Sequence, residues 1–134
     1  MKHLIVLITF LLSFGAANCQ NADYFVRNGD LMVKKGNTTS TFKSGSYDRI
    51  IDFADGELNG KYYVIYWTSS GKSYICTIGN SGKYSSRSDF SCRCGKNIEK
   101  IRFLDSKTLI ITCTDGKRYK KTYTSGGGSS ESSY

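Results

Sequence analysis

Tyr62-Tyr63-Val64-Ile65-Tyr66-Trp67-Thr68 is a run of seven consecutive aromatic or β-branched residues. Such side chains lose rotamer freedom on a helix and pack well on a pleated surface, so the run is predicted to be a strand. Alternation puts Tyr62, Val64, Tyr66 and Thr68 on one face and Tyr63, Ile65 and Trp67 on the other. Both faces are rich in apolar area, which marks a central strand covered on its two sides. A solvated first face would instead make Tyr62 and Tyr66 a stacking platform for sugar rings, with Lys61, Lys72 and Tyr74 beside them.

The same grammar continues outward. Ser69-Ser70-Gly71-Lys72 is a turn, and Ser73-Tyr74-Ile75-Cys76-Thr77-Ile78 is the return strand. A second hairpin runs through Leu109–Cys113, the turn Thr114-Asp115-Gly116-Lys117, and Arg118–Tyr123. A third pairs Phe25-Val26-Arg27 with Asp30–Lys34 across Asn28-Gly29. The turn glycines Gly29, Gly71 and Gly116 are 42 and 45 residues apart. Similar strands, Asp48–Phe53 and Glu99–Leu104, precede the second and third hairpins. The chain is therefore expected to be all-β, one small disulfide-stabilised antiparallel domain. A sandwich or barrel of about eight strands is the leading architecture, and propeller-blade-like hairpin repeats are the alternative. A propeller would need further copies of the chain to close. No window reads as a confident helix; Ala54–Asn59, carrying Asp55-Gly56, reads as a loop.

The first nineteen residues read as a secretory signal peptide: Lys2 and His3, an apolar Leu4–Phe14, then small residues. Cleavage after Cys19 leaves four cysteines that pair without remainder, whereas cleavage after Ala17 retains Cys19 as an odd thiol. The body 20–123 is the expected domain, and 124–134, Ser/Gly-rich, is expected to be a disordered tail. No second apolar run is long enough to span a membrane. Losing Lys2 lowers the formal net charge from +8 to +7. Outside the cell that charge points to extracellular glycans or acidic polymers and away from intracellular nucleic acid.

Secretion makes disulfides the expected state of Cys76, Cys92, Cys94 and Cys113. A Cys92–Cys94 ring would be strained, which leaves 76–92 with 94–113, or 76–94 with 92–113. Single-residue Cys92-Arg93-Cys94 spacing does not suit a zinc knuckle, and no metal or other cofactor is expected. His3 is the sole histidine and leaves with the leader, so histidine-dependent catalysis is excluded. Asp52, Asp55 and Glu57 are the only clustered carboxylates; as exposed loop residues they suit turn geometry better than catalysis or calcium binding.

Lys117-Arg118-Tyr119-Lys120-Lys121 is the densest basic run. On a strand Lys117, Tyr119 and Lys121 share one face, while Arg118 and Lys120 share the other. Polyanion binding or protection of an edge strand explains it equally well. Asn37-Thr38-Thr39 is an N-glycosylation sequon. The expected role is a secreted, non-catalytic binding or extracellular matrix or coating protein that engages glycans or polyanions, with self-association open to it. A cationic effector or toxin-like protein acting on a foreign membrane or receptor is the alternative.

Overall fold

The structure, a computed structural model, describes residues 22–79 and 82–134. The expected leader and its cleavage site lie outside the described residues. Every described element is a strand, and all pairings are antiparallel. The first sheet contains β1 (Ala22–Arg27), β2 (Asp30–Lys35) and β3 (Thr38–Lys43). The second contains β4 (Ile50–Leu58), β5 (Lys61–Thr68), β6 (Ser73–Ile78) and β7 (Tyr84–Asp89). The third contains β8 (Ile98–Asp105), β9 (Thr108–Cys113), β10 (Arg118–Tyr123) and β11 (Ser129–Ser133). Within each sheet, sequence order is spatial order.

The all-β expectation holds, with eleven strands among the described residues rather than about eight, and three sheets rather than one sandwich. The hairpin repeat also has a backbone counterpart. In the β5–β6 turn Thr68 N donates to Lys72 O at 2.9 Å, and Gly71 N to Thr68 O at 3.0 Å. In the β9–β10 turn Cys113 N donates to Lys117 O at 2.8 Å, and Gly116 N to Cys113 O at 3.0 Å. Gly71 and Gly116 hold φ at 86° and 87°, a region costly for a side chain bearing Cβ. Gly29 does not share that pattern: it follows Asn28, also at positive φ, in a two-residue turn between the paired Arg27 and Asp30.

The second sheet is the middle layer. Tyr24, Leu31, Val33 and Phe42 of the first sheet pack on its Ile50, Val64, Tyr66 and Cys76. Ile101, Leu109, Ile111 and Cys113 of the third sheet pack on its other face, against Ala54, Ile65 and Trp67. β5 is thus buried on both sides from Val64 to Thr68, as its composition predicts. Burying each Leu or Ile of these layers stabilises the stack by roughly 2 kcal/mol. β4 lies beside β8, and Gly56 makes that approach close: a Cβ there would meet Phe103 Cγ at 2.5 Å.

Three expectations change. Ala54–Leu58 is not a loop; it continues β4, because Ala54 and Leu58 enter the core while Asp55 accepts the Tyr62 hydroxyl across the ladder. Residues 124–134 are not disordered: after a turn at Thr124–Gly128 the chain pairs along β10 as β11. Its anchor is Glu131, 3.5 Å from Lys121 Nζ and 3.8 Å from Arg93 Nε, and Arg93 N donates to it at 3.0 Å. Finally, one crosslink replaces two. Cys94–Cys113 is formed, while Cys76 and Cys92 are free thiols. Cys76 faces the first-sheet layer and Cys92 packs against the third-sheet layer, so the middle sheet separates them.

Candidate functional site

A cleft of about 220 Å³ opens where the end of the first sheet meets the hairpin ends of the second. Lys43 arrives from the end of β3, Tyr47 and Asp48 from the connection to β4, and Tyr66 and Thr68 from β5. Lys72 comes from the β5–β6 turn, Tyr74 from β6 and Arg87 from β7. Tyr66 forms the floor: its side chain is 1 % exposed, and its hydroxyl accepts from Arg87 Nη1 at 3.4 Å. The Arg87 guanidinium lies 4.7 Å from the Tyr74 ring centroid, and the Tyr74 and Tyr66 rings are 5.3 Å apart. Arg87 is thereby fixed by a stacked pair of rings. Burial raises the Tyr66 phenol, the nearby guanidinium partly opposing it, and this keeps the hydroxyl neutral.

Asp48 is the one carboxylate of the cleft, and it is already occupied. It accepts from Ser70 Oγ at 2.6 Å, Thr68 Oγ1 at 2.7 Å, Ser70 N at 3.1 Å and Ser69 Oγ at 3.4 Å. Those donors, Ser70 foremost, hold it below the usual carboxylate range. It ties the 44–49 loop to the β5–β6 turn. Lys43, Lys72 and Arg87 form no ion pair among the described residues. On the rim, Tyr47 is fully exposed at 103 %. The arrangement offers three cationic donors and one fully exposed ring, Tyr47, around one engaged carboxylate. A second hollow, lined by Asp89, Phe90, Ser91 and Cys92, adjoins it across Lys72 and Tyr74.

Of the residues singled out by sequence, the cleft brings together Tyr66, Lys72 and Tyr74. It does not include Lys61 and Tyr62, which lie at the opposite end of β5. Tyr62 is half-buried and donates to Asp55, so the platform of Tyr62 and Tyr66 does not exist; both rings belong to the core layer. Lys121 also leaves the candidate set. It is 8 % exposed, facing inward, and donates to Ser91 O at 2.8 Å. Arg118 and Lys120 occupy the outward face of β10, as the alternation predicts, and Lys117 is exposed in the preceding turn. Nor is β10 an edge strand, since β9 and β11 flank it. Asn37 is exposed in the β2–β3 turn.

Lys43, Tyr47 and Arg87 are the cleft residues the sequence did not single out. Arg87 sits in Tyr84-Ser85-Ser86-Arg87-Ser88-Asp89, a strand exposed along its whole length and lacking an apolar alternation. Tyr47 had one visible signal, an aromatic isolated in the polar stretch Ser44-Gly45-Ser46-Tyr47-Asp48. Asp52, Asp55 and Glu57 are spread along β4, and no group of three metal-binding side chains occurs among the described residues. Compared with known proteins, the chain matches no family model, no curated protein and no solved structure.

Proposed function

We propose that the chain is a secreted, non-catalytic binding protein that holds acidic glycans, through carboxylate or sulfate groups, in the cleft between its first and second sheets. The observation that carries this reading is the convergence of Lys43, Lys72 and Arg87 on a hollow flanked by Tyr47 and Tyr74. Charged donors select anionic substituents, and the exposed Tyr47 ring suits the apolar face of a sugar. Catalysis would require a second, free acid or base opposite the first; the single carboxylate there has its acceptor capacity filled by Thr68, Ser69 and Ser70. The Cys94–Cys113 bond and the apolar leader together support an oxidising, extracellular setting.

A glycan array probed with the folded protein tests the proposal. Sulfated or carboxylated glycans are expected to be retained above neutral ones and above a control protein of equal net charge. Uniform absence of retention, or retention undiminished in Lys43→Ser/Lys72→Ser, would sink it.

A further inference from the structure

The third sheet ends the stack among the described residues, and its outward face is laid out differently from that of the first sheet. Register places Lys100 of β8, Thr112 of β9 and Arg118 of β10 in one cross-strand row. Arg102, Ile110 and Lys120 form the next row, extended by Ser132 of β11. Their sequence neighbours Ile101, Ile111 and Tyr119 point the other way, into the core, which fixes the face. Strand spacing puts the cations of a row about 10 Å apart, and residues two apart along a strand about 7 Å apart. The four charges therefore mark the corners of a near-planar rectangle. Ile110, between Arg102 and Lys120, is only 4 % exposed, so no apolar side chain protrudes from its middle.

None of the four forms an ion pair among the described residues. The face has two carboxylates on β8, Glu99 in the bulge beside Lys100 and Asp105 at the β8–β9 turn. Asp105 accepts from Lys107 N at 2.9 Å, and it is held below the usual carboxylate range chiefly by that bond and by Thr108, with Lys120 contributing at longer range. The adjacent β11 turns its own carboxylate, Glu131, inward to Lys121 and leaves serines outward. Tyr134 closes one corner, its ring 5.2 Å from the Arg118 guanidinium and 53 % exposed.

The outward face of the first sheet is an internal control. There Asp23 stands opposite Lys34 and Arg27 opposite Asp30, so each charge has a cross-strand partner of opposite sign. Solubility is satisfied by that pattern. Like charges gathered without ion-pair partners repel one another, and Arg118 and Lys120 guard no open edge, because β11 already covers β10; Lys100 and Arg102 lie on β8, the terminal strand of the sheet.

We infer that the outward face of the third sheet docks on a lipid bilayer bearing anionic headgroups, with Lys100, Arg102, Arg118 and Lys120 as its contacts. The occupant follows from layout and sign: cations spread in two dimensions over β8 and β10 complement a plane of negative charge better than a single strand of it, and the hollow lined by Lys117, Arg118 and Tyr134 lies at the corner of the array. An exposed aromatic ring at its corner suits the headgroup layer. This surface lies on the far layer from the glycan cleft and does not depend on it.

Co-sedimentation with phosphatidylcholine vesicles, with and without phosphatidylserine, tests the inference on the full chain. Binding is expected only with phosphatidylserine and is expected to fall as salt rises. Each cation removed should weaken partitioning roughly fivefold, so Lys100→Ser/Arg102→Ser should lose about twenty-five-fold. Arg118→Ser/Lys120→Ser repeats the test on another strand, should either pair disturb folding. Arg27→Ser/Lys34→Ser removes the same net charge from the first sheet and should change binding less than about twofold. Equal losses in the two kinds of variant would show that net charge alone matters and overturn the inference. So would absence of binding to phosphatidylserine vesicles, including the case where Lys100→Ser/Arg102→Ser lowers heparin affinity instead, which would make the face a reader of linear polyanions. Glycan binding lost only on Lys43→Ser/Lys72→Ser speaks to the cleft and leaves this face untouched.

Discussion

Trp67 is 3 % exposed, and its indole Nε1 is the one buried side-chain nitrogen or oxygen left without a hydrogen-bond partner among the described residues. Removing that N–H removes an unsatisfied donor while most of the ring volume stays. Trp67→Phe should therefore cost no more than about 1 kcal/mol, whereas Trp67→Ala, which opens a cavity, should cost about 3–5 kcal/mol. Urea unfolding of the two variants checks the contrast. The free thiols differ in a similar way. Cys76 is completely buried, and burial pushes its thiol up to about 11, so little thiolate exists at pH 8. In Cys92→Ser, Cys76 should not react with a thiol-specific reagent until the protein unfolds; rapid labelling of the native variant would place Cys76 outside the core. At this scale the alternation of β5 and of Lys117–Lys121 was readable from the chain. That Lys121 would be the buried lysine was not, because its partners Ser91 and Glu131 come from other segments.

Among elements, β11 depends on a single charged residue. Glu131 and Lys121 have side chains 12 % and 10 % exposed, so deleting the carboxylate strands a nearly buried ammonium. Glu131→Gln should destabilise the protein by about 2–3 kcal/mol, and Lys121→Met/Glu131→Gln should recover most of that loss. Thermal unfolding of the two variants reads the difference. The Cys94–Cys113 bond closes a loop with a sequence separation of 19. Replacing both cysteines by serine should cost about 3 kcal/mol on chain-entropy grounds. The strands that could be read from sequence are those whose side chains enter a core layer, β5, β6 and β9 above all. β7 and β11 carry serines and charges on both faces and exist because a neighbouring ladder offers them hydrogen bonds. Their composition, taken alone, describes a loop and a disordered tail. The second expected disulfide failed for a related reason: pairing by elimination ignored the sheet that stands between Cys76 and Cys92.

On the scale of the whole molecule, two layers of tyrosine-rich packing make stability sensitive to alkali. Burial raises Tyr24 from 10.0 to about 12, and Tyr62, Tyr66 and Tyr123 are raised too, in each case mainly by burial. The folded state therefore holds phenolic protons that the unfolded chain releases. That stabilisation is complete below pH 10 and disappears as pH rises toward 12, up to about 2–3 kcal/mol for Tyr24 alone. Tyr24→Phe gives up the bond to Gly82 O, about 1 kcal/mol at neutral pH, and should show a smaller further loss between pH 8 and 11 than the wild type. Three stacked sheets also explain why cleft residues distant in sequence meet: Lys43 and Arg87 belong to different sheets and converge only because those sheets pack at one end. The matching turns at Gly71 and Gly116 were legible from the sequence, whereas the cleft, formed between sheets, was not. The most direct test of the glycan-binding account is heparin-affinity elution of two variants with equal net charge. Lys43→Ser/Lys72→Ser alters the cleft, and Lys34→Ser/Lys61→Ser removes two exposed lysines outside it. The account predicts that the cleft variant elutes at clearly lower salt than the control variant; co-elution of the two would contradict it.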